Sequence, residues 1–186
     1  MLISGYNIQL TLLKESNLEM VRLWRNMDEV KEYMEFREHI SSSKQKKWFK
    51  ELDNLRNKYF VIKYEKENIG LIHIKNIDFD TLIGEAGIFI GVSHYVKTMV
   101  PMQAILCLMD FAFFELKLKS LKAKVKNENE KAFIFNKELG YEKEQKTLNG
   151  FTYLEVDKVR YLKKNDKVRT FYQKRNLGIE VMSNID

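Results

Sequence analysis

Few side chains in this chain have the types and neighbours that covalent chemistry needs. Its 186 residues include one cysteine, Cys107, and three histidines, His39, His73 and His94. Cys107 falls on an apolar helical stripe with Met109 and Phe113 nearby, and no base accompanies it, so it reads as core rather than as a nucleophile. One cysteine allows no internal disulfide and suits a reducing compartment. Four scattered soft ligands do not make a structural zinc site, so no metal is expected. What remains is proton and charge chemistry. Arg25 offers a guanidinium that suits an oxyanion, or equally a helix-face ion pair with Asp28 or Glu29. Pro101 suits the first turn of a helical pattern, where its missing N–H is not needed. Asn129 reads as another helix N-cap. From the residues alone, Glu85 is a solvated strand end and His73 a partly buried imidazole.

Composition narrows the class. Hydrophobic residues are 45% and charged residues 31%, as in a globular protein of one ordinary domain, and 12% aromatics argue against disorder. The start of the chain has no basic segment followed by a long apolar run, and the apolar stretch around Ala104–Phe114 is broken by Asp110. No secretory leader and no membrane span are therefore expected, and the expected location is cytoplasmic. The net charge is +6, but residues 158–186 hold eight basic and three acidic side chains, so the rest of the chain is nearly neutral. Lys158, Arg160, Lys163, Lys164, Lys167, Arg169, Lys174 and Arg175 alternate with Tyr161, Phe171 and Tyr172. No nucleic-acid motif accompanies them, and the stretch reads as a solvated tail, with nucleic-acid binding through charge as the alternative.

The elements that would position these residues follow from periodicity. Tyr6–Leu12 alternates as a strand. Leu18, Val21, Trp24 and Val30 recur at helical spacing after Ser16 or Asn17, and Ser42–Gln45 fits a capping box before a second stripe of Trp48, Phe49, Leu52 and Leu55. Tyr59–Tyr64 and Ile69–Lys75 read as a hairpin, and Ala86–Val92 as a more continuously apolar, central strand. A helix from Pro101 to Leu116, a strand at Leu121–Val125 and a helix at Asn129–Leu139 stopped by Gly140 follow. Two last strands start at Tyr141 and cover Phe151–Leu162. The class is α/β, a mixed sheet of six to seven strands flanked by helices, in one domain over residues 1–163 with a basic extension at 164–186.

Several pieces of this pattern resemble the GNAT superfamily of acetyl-CoA-dependent N-acetyltransferases, over about Ile8–Lys163. They are Trp24-Arg25-Asn26 with Met34 downstream, Ile40-Ser41 before the helix bearing Trp48-Phe49, the strand Glu85–Gly91, and Asn129-x-x-Ala132 running to Leu139-Gly140-Tyr141. They look like the branch of ribosomal-protein N-acetyltransferase-like enzymes. More loosely, through Phe111–Val125 and Gly150-Phe151, they look like the branch that acetylates the 4-amino group of a UDP-linked 4-amino-4,6-dideoxy sugar in pseudaminic acid synthesis.

The resemblance implies a GNAT fold, acetyl-CoA, and direct attack of a primary amine on the thioester. Ile88, Phe89, Ile90 and Gly91 would hold the carbonyl oxygen with backbone N–H groups. Val96, Lys97, Thr98, Met99, Val100, Pro101 and Met102 would form the pyrophosphate loop, and Asn129, Ala132, Phe135 and Asn136 would line the pantetheine arm. Arg25, Asn26, Met34, Glu35, Phe36 and His73 would line the acceptor side. The implied general base is Glu85 first, then His73, then Glu35. Two positions depart from the family. Met99 and Pro101 replace the loop glycines, with Lys97 and Thr98 as substitute donors. Asn136 stands where a tyrosine acid is usual, and an amide supplies no proton. The expected partners are a small-molecule amine, a nucleotide sugar by preference, and a second copy in a homodimer, with no membrane and no nucleic acid. A protein N-terminal or small-amine acetyltransferase, and a binding protein that kept the fold without activity, are the alternatives.

Overall fold

The computed structural model describes residues 1–182, apart from the side chains of residues 143–147. The chain opens with a hairpin, β1 (Leu2–Gly5) and β2 (Ile8–Leu12). Tyr6 and Asn7 form its turn with φ of 57° and 63°, the two-residue geometry that follows strand twist. The strand expected to start at Tyr6 therefore starts at Ile8, and β1 precedes it. Helices α1 (Leu18–Asn26), α2 (Asp28–Lys31) and α3 (Ser42–Lys50) come next. Val30 lies in α2, Leu52 and Leu55 lie beyond α3, and the cap of α3 is Ser41, whose hydroxyl accepts from Lys44 N–H at 3.2 Å.

Strands β3 (Lys58–Tyr64), β4 (Glu67–Asp78) and β5 (Ile83–Ile90) form an antiparallel meander. Helix α4 (Val100–Asp110), continued by a π-helical turn at Phe111–Glu115, crosses to β6 (Ser120–Lys126), parallel to β5. Helix α5 (Glu130–Leu139) ends at Gly140 with φ 99°, which turns Tyr141 N–H back onto the Asn136 carbonyl at 3.0 Å. β7 (Glu142–Leu148), β8 (Phe151–Asp157), α6 (Lys158–Gln173) and β9 (Glu180–Met182) complete the described residues. The sheet has nine strands among the described residues, in the order β7-β8-β6-β5-β4-β3-β2-β1-β9.

The sheet is the middle of three layers. One face buries Phe60, Ile62, Ile72 and Ile74 against Ala104–Met109 of α4 and Tyr161 of α6. The other buries Val61 and Leu71 under Leu18 and Val21 of α1, with Trp24, Trp48 and Phe89 packed alongside. Gly91 makes this second contact close. A side chain there would run into the Trp24 indole. Gly91→Ala is expected to cost about 1–3 kcal/mol by overpacking, measured as a lowered melting temperature. An unchanged melting temperature would show that α1 tolerates the shift.

The basic C-terminal stretch is corrected by this architecture. It is a helix capped by Asp157, whose carboxylate accepts from Arg160 N–H at 2.8 Å, and not the end of a strand followed by a solvated tail. Tyr161, Asn165 and Arg169 recur every four residues and are buried. Arg169 Nε donates to Asp110 at 2.8 Å, and the same carboxylate accepts from Tyr161 at 2.7 Å and Tyr6 at 2.5 Å. β9 then adds to the sheet beside β1.

Candidate functional site

The site begins where the sheet divides. β5 and β6 pair only at Ile83–Ser120, Gly84–Leu121 and Glu85–Lys122. Beyond that rung β5 stays with β4 as far as Ile90, and β6 stays with β8 as far as Lys126. Gly91 N–H donates to the Ile69 carbonyl at 2.8 Å, and the register carries this hydrogen-bonded rung back through Phe89–Leu71 and Gly87–His73. On the rungs between, backbone groups point away from the partner strand. Ile88 and Ile90 occupy those rungs, so their N–H and C=O groups point into the split that β6 has left.

A cavity of about 650 Å³ opens around the split, the size of a small-molecule site. β5 contributes Glu85–Phe89, β6 contributes Ala123–Lys126, and α5 contributes Asn129, Ala132, Phe135 and Asn136. From the other layer come Arg25 of α1, Lys44 and Trp48 of α3, and Tyr33–Phe36 of the loop between α2 and α3. Of the residues picked out from sequence, twelve therefore share one wall or another: Arg25, Met34, Glu35, Phe36, His73, Glu85, Ile88, Phe89, Asn129, Ala132, Phe135 and Asn136.

Others are placed elsewhere. Asn26 is not on the wall. Its amide is committed to one backbone residue, donating to the Ile40 carbonyl at 2.9 Å and accepting from Ile40 N–H at 2.8 Å, which ties down the end of the loop carrying Glu35 and Phe36. Ile90, Gly91 and residues 96–102 also lie outside the cavity lining. Thr98 does not offer the free donor expected of it. Its hydroxyl donates to the Tyr95 carbonyl at 2.8 Å and accepts from Val100 N–H at 3.2 Å, capping α4. Lys97 is exposed beside it.

The electrostatics separate the candidate groups. Glu85 sits directly opposite Lys75, whose Nζ is 2.9 Å away. Glu35 meets Lys124 at 2.6 Å across the split, and that ammonium holds the Glu35 carboxyl below its usual range. Burial, then Lys75 and Arg25, push the His73 imidazole down to about 3, so it is neutral near pH 7. Burial also lowers Arg25 and raises Tyr59 and Tyr141, leaving both phenols protonated. Arg25 is not paired with Asp28, which binds Lys31 at 2.7 Å. Its guanidinium lies 5.9 Å from the Phe89 ring centre and donates to the Phe36 carbonyl at 3.4 Å, with no carboxylate in ion-pair range among the described residues. Asn129 caps α5, accepting from Ala132 N–H at 3.0 Å, and Asn136 Nδ2 donates to the Ala132 carbonyl at 2.8 Å.

Sequence reasoning missed Trp48, Tyr59, Lys75, Lys124 and Tyr141 as lining residues. Alternation in Leu121–Lys126 put the three lysines on one face, but only the departure of β6 turns Lys124 toward a cavity. Among the described residues no cluster of metal ligands occurs, and no helix is long and apolar enough to cross a membrane.

The acetyltransferase (GNAT) domain family matches residues 7–142, and the chain belongs to that family. It is an N-acetyltransferase of the GNAT fold. No curated protein matches the chain by sequence. Among solved structures, a spermidine N-acetyltransferase from Vibrio cholerae, in complex with CoA and spermine, has a TM-score of 0.73 at 22% identity over 84% of this chain and 98% of that one. Apo FdhC, described as a nucleotide-linked sugar GNAT, has a TM-score of 0.78 at 17% identity over 92% and 98%. A domain from Methanocaldococcus jannaschii DSM 2661 has a TM-score of 0.72 at 16% identity over 81% and 97%.

Proposed function

We propose that this enzyme moves acetyl from acetyl-CoA to the primary amine of an acceptor that also carries an anionic group, with a nucleotide-linked 4-amino sugar as the preferred case. The observation that carries the reading is Arg25, a cavity-lining guanidinium with no acidic partner among the described residues. Desolvation without a counter-ion is costly, and a phosphate oxyanion from the acceptor offsets it with charge-assisted hydrogen bonds. The wider wall agrees. Arg25, Lys44, Lys75, Lys124 and Lys126 outnumber Glu35 and Glu85, and Trp48, Tyr59 and Phe36 supply aromatic surface for a sugar or base. For a polycationic acceptor such as spermidine the wall has the wrong sign, because both carboxylates already face lysines.

The donor side fits acetyl-CoA through the backbone groups of Ile88 and Ile90 that face the split. When bound, acetyl-CoA supplies an activated acetyl thioester. In this reading the Ile88 N–H group would donate to its carbonyl oxygen, and Asn129, Ala132 and Phe135 would flank the pantetheine arm. Glu85 takes the proton of the acceptor amine, directly or through water. Neutral His73 accepts a hydrogen bond from that amine without storing the proton, since an imidazolium beside Lys75 and Arg25 is disfavoured. Asn136 has no proton to give the departing sulfur, and water takes that part.

A thermal-shift titration tests the donor half. Acetyl-CoA at about 100 times its dissociation constant should add about 2.7 kcal/mol, a rise on the order of 5–10 °C. No rise at millimolar ligand would reject the donor site. For the acceptor half, a UDP-linked 4-amino sugar, spermidine and an N-terminal peptide are compared by thiol release. Arg25→Gln is expected to raise KM for the sugar nucleotide about 10- to 100-fold, the loss of one charged hydrogen bond, with the acetyl-CoA shift intact. Release with spermidine but not with the sugar would overturn the preference.

A further inference from the structure

Gly87 lies on β5 two residues beyond the last rung shared with β6. Directly across from it on β4 stands His73, and across from His73 on β3 stands Tyr59. These three positions form one row on the face that carries α1 and α3. On one side the Tyr59 ring meets the imidazole, with ring centres 4.9 Å apart. On the other side the imidazole extends over Gly87. A Cβ at position 87 would stand 2.6 Å from His73 Cε1 and 2.7 Å from Nε2, so no side chain can share that space. The ring thus lies across β5 beside Ile88, whose backbone groups face the split. Among the described residues the His73 nitrogens make no hydrogen bond, and no buried side-chain polar atom lacks one, so the nitrogens open to the cavity.

We propose that Gly87 is a positioning residue: its missing side chain seats the His73 imidazole across β5, where a ring nitrogen accepts a hydrogen bond from the acceptor amine as it meets the Ile88 edge. This rests on reading the cavity as the transferase site. In the transfer the amine lone pair forms the new C–N bond, and the C–S electron pair leaves with sulfur, which is protonated by water. The proton shed by nitrogen passes to Glu85 and on to solvent. His73 holds the N–H in line so that the lone pair faces the carbonyl carbon. The charged and titratable groups around the ring are Lys75 on its own strand, Arg25 on α1, Tyr59 on β3 and Glu85 on β5.

The test is Gly87→Ala, which should fold, because what it displaces is the end of one rotatable side chain. With a UDP-linked 4-amino sugar as probe, kcat is expected to fall roughly 10- to 100-fold, as for a misplaced reactant, with KM for acetyl-CoA unchanged. In a His73→Ala background the same substitution should cost nothing more, since the ring it displaces is gone. Equal losses in both backgrounds would overturn the proposal. A second readout needs no acceptor. Imidazole NMR, assigned by the signal lost in His73→Ala, should show native His73 neutral down to about pH 4 and the displaced Gly87→Ala ring titrating at a higher pH, as burial is relieved. An unchanged titration overturns the seating whatever the assay gives. If the native protein acetylates none of the probe amines, the functional reading fails, and the titration still decides the role of Gly87.

Discussion

Replacing Arg169 by methionine is expected to destabilise the protein by about 3–5 kcal/mol and lower its melting temperature by on the order of 10 °C. The residue sits in the basic stretch that composition marks as a surface tail, and a surface substitution there would shift stability by no more than about 0.5 kcal/mol. The structure puts it inside instead, 8% exposed, against an Asp110 that is 2% exposed. Asp110 accepts hydrogen bonds from Tyr6, Tyr161 and Arg169, so one carboxylate joins the first hairpin, α4 and α6. Taking away only the guanidinium leaves the carboxylate with two phenols and no cation, which is costly when water cannot reach it. Asp110→Asn combined with Arg169→Met should recover part of the loss, because the charge goes with its partner while an acceptor for the tyrosines remains. Arg175→Met is the control, since that side chain is exposed and lies over the Phe171 ring at 3.7 Å. Urea unfolding of the three variants beside the native protein decides the matter. If Arg169→Met and Arg175→Met unfold alike, Arg169 contributes no more than surface charge.

The same residue shows why part of the fold was not legible beforehand. Helix α6 buries Tyr161, Asn165 and Arg169 at helical spacing, but two of the three are polar, so hydrophobic periodicity is silent over residues 164–173 and charge dominates the reading. The first strand was hidden differently. Leu2–Gly5 is four residues long, and its turn puts Tyr6 at positive φ before Asn7, where sequence patterns lead one to expect glycine or asparagine at both positions. By contrast β3, β4, β5, α4 and α5 follow patterns of ten or so residues each, and Gly140 marks its helix stop with a conformation few other residues adopt.

For the site, residue type was legible and partnership was not. Glu85 and His73 could be placed on adjacent strands from alternation alone. Their roles depend on what stands opposite them: Lys75 for Glu85, and an absent side chain at Gly87 for His73. Glu35 and Lys124 are 89 residues apart, and only the fork in the sheet brings them to 2.6 Å. Asn26 carried the right chemistry for substrate recognition, yet its amide is committed to the Ile40 backbone. A local pattern cannot reveal such a commitment when the partner lies fourteen residues away in a loop.

Glu85→Gln is expected to lower kcat/KM for acetyl transfer about 10²- to 10³-fold, within the range of losing a general base, while the melting-temperature rise with acetyl-CoA stays as in the native protein. Glu85 is on the last rung where β5 and β6 still pair, so its carboxylate stands at the closed end of the fork and lines the cavity. The backbone N–H assigned to the acetyl carbonyl belongs to Ile88, three residues further along the same strand. An isosteric amide at position 85 should leave that edge in place. What changes is the ability to take a proton, which a carboxylate has and an amide lacks. The salt bridge to Lys75 complicates the comparison, because the substitution also removes a charge opposite an ammonium that is only 27% exposed. Lys75→Met separates the two effects, since it breaks the ion pair but keeps the carboxylate and should therefore keep most of the transfer rate. If Lys75→Met loses as much as Glu85→Gln, the ion pair matters and the base lies elsewhere. If Glu85→Gln loses acetyl-CoA binding in proportion to rate, Glu85 holds the strand in register rather than moving a proton.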